Sequence, residues 1–209
     1  CAVALMRAAG LADDAIRAAF MRFEALPHRM QTVGTFDGIT YIDDSKATSI
    51  SALIAGVTMA FSRLMAFSHF SRINTVKFSN FQGSLPNIQG SLPNSPLSTI
   101  NYQLPHLRLI AGGLPKGDDP AVARDCLAKC VEKVYLIGQS ATLFEEAWKD
   151  IVLCEVCNDL QTAVSRARSE AEKGDCVLLS PGTASFDQFK SYGERGDRFA
   201  DLARSCFGV

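Results

Sequence analysis

From residue 107 onward the chain alternates short apolar runs with amphipathic stretches, and this rhythm restricts the fold more than any other feature of the sequence. Strands read over 107–111, 134–137, 151–155 and 176–179; helices read over 119–130, 141–149, 159–172 and from about 186 to 206. Strands that are apolar along their whole length are buried on both faces. Each is followed by a helix that can cross over and return, so the expected sheet is mostly parallel and covered on both sides. In such folds ligands sit beyond the carboxyl ends of the strands.

Upstream, 2–9 and 13–24 read as two short helices, with Gly10 placed to end the first and Asp13 to cap the second. Residues 29–36 and 39–42 read as strands joined by Asp37-Gly38, a pair that tolerates the positive φ of a two-residue hairpin. A helix is expected over 48–60. Residues 61–106 are rich in Ser, Asn, Gln and Pro and contain a tandem repeat, Gln82-Gly83-Ser84-Leu85-Pro86-Asn87-Ile88 followed by Gln89-Gly90-Ser91-Leu92-Pro93-Asn94-Ser95. Proline at every seventh position forbids a continuous helix or central strand. This stretch is expected to be an irregular surface insertion, dispensable for folding; a dedicated binding loop is the alternative.

Composition matters mainly for what it excludes. The 21 basic residues nearly balance the 22 acidic ones, which gives no reason to expect nucleic acid or an anionic membrane as partner. No apolar run approaches a membrane-spanning length. Cys1 to Met6 shows neither a basic leader nor a cleavage site, and it reads as the middle of a helix, so a missing front end is expected. Seven scattered cysteines favour reduced thiols and a cytoplasmic setting. Cys154 and Cys157 form a CxxC, and Cys126 and Cys130 lie one helical turn apart. The pattern is too loose for a four-thiolate zinc site, and buried or idle thiols are the preferred reading.

Three strand ends lead into unusual loops. Asp43-Asp44-Ser45-Lys46-Ala47-Thr48 offers carboxylates, an ammonium and hydroxyls just before a helix, whose free N–H groups attract anions. A polar loop ending in a Ser or Thr cap is an equal reading. Gly112-Gly113-Leu114-Pro115-Lys116-Gly117-Asp118 lets a ligand approach backbone and offers Lys116 as a point charge, although an ordinary turn would look similar. In Ser180-Pro181-Gly182-Thr183-Ala184-Ser185-Phe186-Asp187, Ser185 can offer a hydroxyl and an N–H to a carboxylate. The segment is not a GxSxG elbow. His28, His69 and His106 show no metal spacing. The sequence has neither GxxxxGK[ST] nor GxGxxG, so it does not cradle a triphosphate alone.

Together these motifs resemble the Mur ligase family. The likeness begins at Leu26-Pro27-His28-Arg29 and continues through Asp43 to Thr48, then Leu109 to Gly113 with Lys116-Gly117. It ends at Leu179 to Phe189 with Arg195-Gly196. It covers the chain apart from the insertion, which separates Met59-Ala60 from Arg108-Leu109. Tyr192 stands where the family often has phenylalanine, and Ser49 replaces a usual asparagine. The Ala184-Ser185-x-Asp187-Gln188-Phe189 form resembles the D-glutamate-adding members.

The resemblance implies an α/β fold, a Rossmann-like three-layer sandwich with a mostly parallel sheet, an N-terminal β-hairpin and a polar insertion. It implies that residues 1–26 are the helical tail of a central ATP-binding domain and 27–209 a carboxy-terminal domain. The implied activity joins D-glutamate to UDP-N-acetylmuramoyl-L-alanine through an acyl phosphate, using ATP and Mg2+ whose ligands lie mainly upstream. Arg29, Asp44 and Lys46 would serve the nucleotide. Thr48, Lys116, Ser185, Phe186 and Tyr192 would serve D-glutamate. No catalytic residue and no metal ligand is assigned, and a cytoplasmic monomer is expected. A folylpolyglutamate synthase-like ligase and a non-catalytic binding module are the alternatives.

Overall fold

The computed structural model describes residues 2–22, 26–77 and 105–205. Helices α1 (Ala2–Ala8) and α2 (Asp13–Met21) precede strand β1 (Gln31–Phe36). Strand β2 (Ile39–Asp43) pairs with it antiparallel, Phe36 opposite Ile39. At the turn Asp37 and Gly38 have φ of 50° and 83°, as a type I′ hairpin requires.

Then follow α3 (Ile50–Lys77), β3 (Leu107–Gly112), a 3-10 turn (Pro120–Ala123), α4 (Arg124–Cys130) and β4 (Lys133–Ile137). The chain continues through α5 (Ala141–Trp148), β5 (Leu153–Asn158), α6 (Leu160–Glu170), β6 (Cys176–Leu179) and α7 (Tyr192–Ser205). The strands form one sheet in the order β1-β2-β6-β3-β4-β5, parallel except for the hairpin.

Both faces are covered. On one, Leu53 and Val57 of α3, Leu127 of α4, and Phe144 and Trp148 of α5 pack against Leu109, Leu136 and Leu178. On the other, Leu160 and Val164 of α6 and Phe199 of α7 pack against Tyr41, Ile110 and Val177. Each such buried side chain stabilises the fold by about 1.5–3 kcal/mol. The expected α/β three-layer sandwich is the observed one. After β3 the chain steps outward through β4 and β5, then returns to place β6 on the other side of β3. That reversal opens a crevice at the carboxyl ends of β3 and β6.

Several local expectations need correction. The helix expected over 48–60 runs to Lys77, so 61–77 is helical rather than irregular. Leu64 is buried, and Phe61 and Met65 pack against the core, so the apolar spacing continues past the expected end. The tandem repeat lies outside the described residues. The last helix begins at Tyr192, not near 186. Residues before it form a turn in which the Gln188 and Phe189 N–H groups donate to Ser185 O. The Ser191 hydroxyl accepts from Glu194 N at 3.1 Å, the Ser half of a capping box. The expected helix 119–130 is split into the 3-10 turn and α4. The strand expected over 151–155 lies at Leu153–Asn158. Cys154 packs against the first core cluster and Cys157 belongs to the second, so the CxxC thiols face opposite sides of the sheet. Burial pushes both thiols up to about 11.

Candidate functional site

The loops after β2, β6 and β3 leave three neighbouring strands, so the segments singled out in the sequence meet in space. They are bonded to one another. Gly182 N donates to Ala47 O at 2.8 Å, and Gly112 N to Pro181 O at 2.9 Å. Leu114 and Ala184 form an antiparallel bridge. Asp118 Oδ2 accepts from Ile50 N at 3.1 Å, tying the Lys116 loop to the start of α3. Ser49 Oγ accepts from Ala52 N at 3.3 Å. Protein groups thus take two N–H groups of the first turn of α3.

Arg29, Asp44 and Lys46 line one cavity of about 230 Å³, floored by Ala52, Ala55, Gly56 and Met59 of α3. Asp44 is 5% exposed. Its Oδ1 accepts from Met30 N at 3.2 Å and its Oδ2 from Ser180 Oγ at 2.9 Å. Burial raises its pKa to about 6 despite those donors; desolvation disfavours the carboxylate more than two neutral donors favour it. Gly56 faces this acid, and a Cβ there would collide with the Asp44 carboxylate. Lys46 Nζ donates to Tyr192 Oη at 2.8 Å and lies 4.3 Å from the centre of its ring. The structure therefore brings Tyr192 to the nucleotide-assigned Lys46. Lys116 and Phe186 are exposed on their loops, Thr48 is half-buried before α3, and Ser185 is buried. The Leu114–Ala184 bridge joins the loop of Lys116 to that of Ser185 and Phe186.

Other residues that organise the site had no assigned role. His28 has φ 59°, and its Nδ1 lies 2.7 Å from Asp43 Oδ2. Asp43 Oδ1 accepts from Ser45 N at 2.8 Å. A Cβ on Gly196 would strike His28 Nδ1, so the glycine lets α7 approach the pair. Arg195, quoted in the sequence only as a motif letter, is 1% exposed. Its Nε donates to Ser45 Oγ at 2.9 Å, and Nη2 donates to Ser45 O and Thr183 O at 2.9 and 3.2 Å. Nη1 donates to Ala184 O at 3.3 Å. Burial lowers its pKa to about 10. The signal that could have found these residues was their place within the quoted motifs.

Among the described residues, no three or more His, Cys, Asp or Glu side chains are grouped to hold a metal ion. Nor is any described helix long and apolar enough to cross a membrane. The cavity offers a carboxylate beside two cations, a donor and acceptor set that fits ribose hydroxyls and phosphate oxygens.

No family model matches the chain. A UDP-N-acetylmuramoylalanine--D-glutamate ligase of Dinoroseobacter shibae is 36% identical over 205 residues, covering 98% of this chain and 34% of that protein. One from Jannaschia sp. is 37% identical over 199 residues, covering 95% of this chain and 33% of the relative. The chain belongs to the Mur ligase family. It spans about a third of the length of the curated relatives it matches, as a carboxy-terminal-domain-like part of a Mur ligase. Among solved structures, E. coli FolC in complex with ADP superposes with a TM-score of 0.54 at 21% identity, over 98% of this chain and 39% of that one. That likeness shows the fold alone.

Proposed function

We propose that this chain forms the carboxy-terminal side of the active site of an ATP-dependent amide ligase that adds D-glutamate to UDP-N-acetylmuramoyl-L-alanine. One observation carries the reading: Arg29, Asp44 and Lys46 share a single cavity, while the loops of Lys116 and Ser185 are bridged beside it. The names of the curated relatives supply the substrates. Residues 1–26 would then be the tail of a preceding ATP-binding domain and 27–209 the domain that closes over it. The strong exposure of Leu5 and Met21, 70% and 83%, fits a segment that another domain covers.

In this reaction ATP transfers its γ-phosphoryl group to the terminal carboxylate of the acceptor and leaves as ADP. The amine of D-glutamate attacks the acyl phosphate carbon. The new C–N bond forms, the C–O bond to phosphate breaks, and the amine releases a proton. Most of the catalytic work is positioning and charge neutralisation. Asp44 would accept ribose hydroxyls, with Arg29 and Lys46 toward the phosphates. Lys116 would meet a D-glutamate carboxylate, with Thr48, Ser185 and the Phe186 backbone completing that site. Tyr192 would hold Lys46 and border the amino-acid site. Mg2+ would neutralise phosphate charge from ligands outside this chain. A cytoplasmic, monomeric protein fits this chemistry.

The test is the complete gene product assayed with ATP, UDP-N-acetylmuramoyl-L-alanine and either D- or L-glutamate. Phosphate release and amide formation with D-glutamate alone are expected. Turnover only on a folate acceptor would replace this reading by the folylpolyglutamate one. Turnover on neither acceptor would favour the binding module.

A further inference from the structure

The two ligand loops are not independent. Ser45 stands between Asp44 and Lys46, and Ala184 immediately precedes Ser185. One guanidinium holds both: Arg195 donates to Ser45 Oγ and Ser45 O on one loop, and to Thr183 O and Ala184 O on the other. Ser45 Oγ in turn donates to Tyr192 O at 2.7 Å, closing the clamp onto α7. The third loop touches the same group, since a Cβ on Gly113 would lie 3.1 Å from Arg195 Nη1. These acceptors are neutral, so the charge is buried without a hydrogen-bonded carboxylate. A buried cation is a poor way to gain stability alone, because well-packed apolar side chains do as well or better. Its planar fork does something an apolar group cannot, which is to fix two backbone segments relative to each other. On the clamped segment Thr183 Oγ1 is buried with no hydrogen-bond partner among the described residues.

We propose that Arg195 is a positioning residue that couples the nucleotide loop to the amino-acid loop, so that filling either site tightens the other. This rests on the reading above of what the two loops hold. Ordering Asp44 and Lys46 around a nucleotide fixes Ser45, Ser45 fixes the guanidinium, and the guanidinium fixes the carbonyls on either side of the Thr183–Ala184 step. D-glutamate then meets a Ser185 already in place. By reciprocity the amino acid must tighten the nucleotide by the same factor.

The experiment measures ADP binding by calorimetry on the complete gene product, with and without saturating D-glutamate, for wild type and Arg195→Lys. Lysine keeps the charge and reaches one loop, but it cannot span both. In wild type the amino acid should tighten ADP by about fivefold or more, the usual size of such linkage. In Arg195→Lys that ratio should fall to within about twofold of one, while each ligand still binds alone. An arginine that served stability only would lower the melting temperature and leave the ratio unchanged, and that result would overturn the proposal. Two ligands that both bind wild type without linkage would overturn it too. Failure of wild type to bind either ligand would instead refute the reading of the loops, and the coupling with it. If Arg195→Lys does not fold, Ser45→Ala removes one acceptor of the guanidinium and should at least halve the ratio; an unchanged ratio there counts against the coupling.

Discussion

Gly56 on α3 faces Asp44 so closely that a Cβ at Gly56 would collide with the carboxylate and stand 2.7 Å from Ser180 Oγ. Glycine in a helix interior is ordinarily a liability of about 1 kcal/mol relative to alanine. Here the liability is what lets a buried acid sit beside the helix. Gly56→Ala should therefore destabilise the domain by about 1–3 kcal/mol, the usual result of overpacking, instead of stabilising it. Urea unfolding of the two proteins checks the sign.

Asp44 also predicts a pH dependence. Its folded pKa is about 6 against the usual 3.8, raised chiefly by burial. Between those values the folded state binds more protons than the unfolded chain, so this group's contribution makes stability fall as pH rises through about 4 to 6. The full effect is at most roughly 3 kcal/mol. Asp44→Asn should remove that slope, seen as a smaller difference in urea midpoint between pH 4.5 and pH 7. An unchanged difference would place the titration on another group.

The fold was legible where burial leaves a one-dimensional trace. Leu107 to Ala111 and Cys176 to Leu179 are apolar at almost every position because both faces of those strands are covered, and Asp37-Gly38 announced its turn. The extension of α3 was hidden by the Ser-, Asn-, Gln- and Pro-rich stretch that follows it. Ser62 looks like part of that stretch, yet its hydroxyl donates to Thr58 O within the helix at 2.8 Å. At the site, loops rich in glycine and charge stood out in the sequence, and the structure brings them together. The contacts that shape it were not visible. Arg195 meets Ser45 across 150 positions of sequence, and nothing local shows that burial raises the pKa of Asp44 to about 6.

The longer α3 changes what a deletion should do. Excising 61–105 would remove Leu64, which is 8% exposed and part of the core, and so should destabilise the domain. Leu64→Ala alone should cost about 2–5 kcal/mol, as buried leucine truncations do. A Leu64→Ala protein as stable as wild type would show that α3 beyond Ala60 contributes nothing to the core.

The chain contains no GxxxxGK[ST] segment, the loop that cradles a triphosphate in P-loop proteins. Purified residues 1–209 should form no amide from ATP, D-glutamate and UDP-N-acetylmuramoyl-L-alanine. Product detected by mass spectrometry would show that this chain holds a whole active site.

The central claim is that the loops divide the ligands, with Arg29, Asp44 and Lys46 on the nucleotide and Lys116 on the amino acid. Lys116 is exposed on a loop, so its removal takes no atom from the core, and the melting temperature should stay near that of wild type. Loss of one charge-assisted hydrogen bond removes roughly 1.5–3 kcal/mol, which is about ten- to a hundredfold in an equilibrium or rate ratio. The decisive measurement is steady-state kinetics of Lys116→Ala in the complete gene product, with D-glutamate and ATP both varied. A ten- to hundredfold rise in the D-glutamate KM or fall in kcat, with the ATP KM little changed, is the predicted result. A change confined to the ATP KM, or simple unfolding of the domain, would contradict the account.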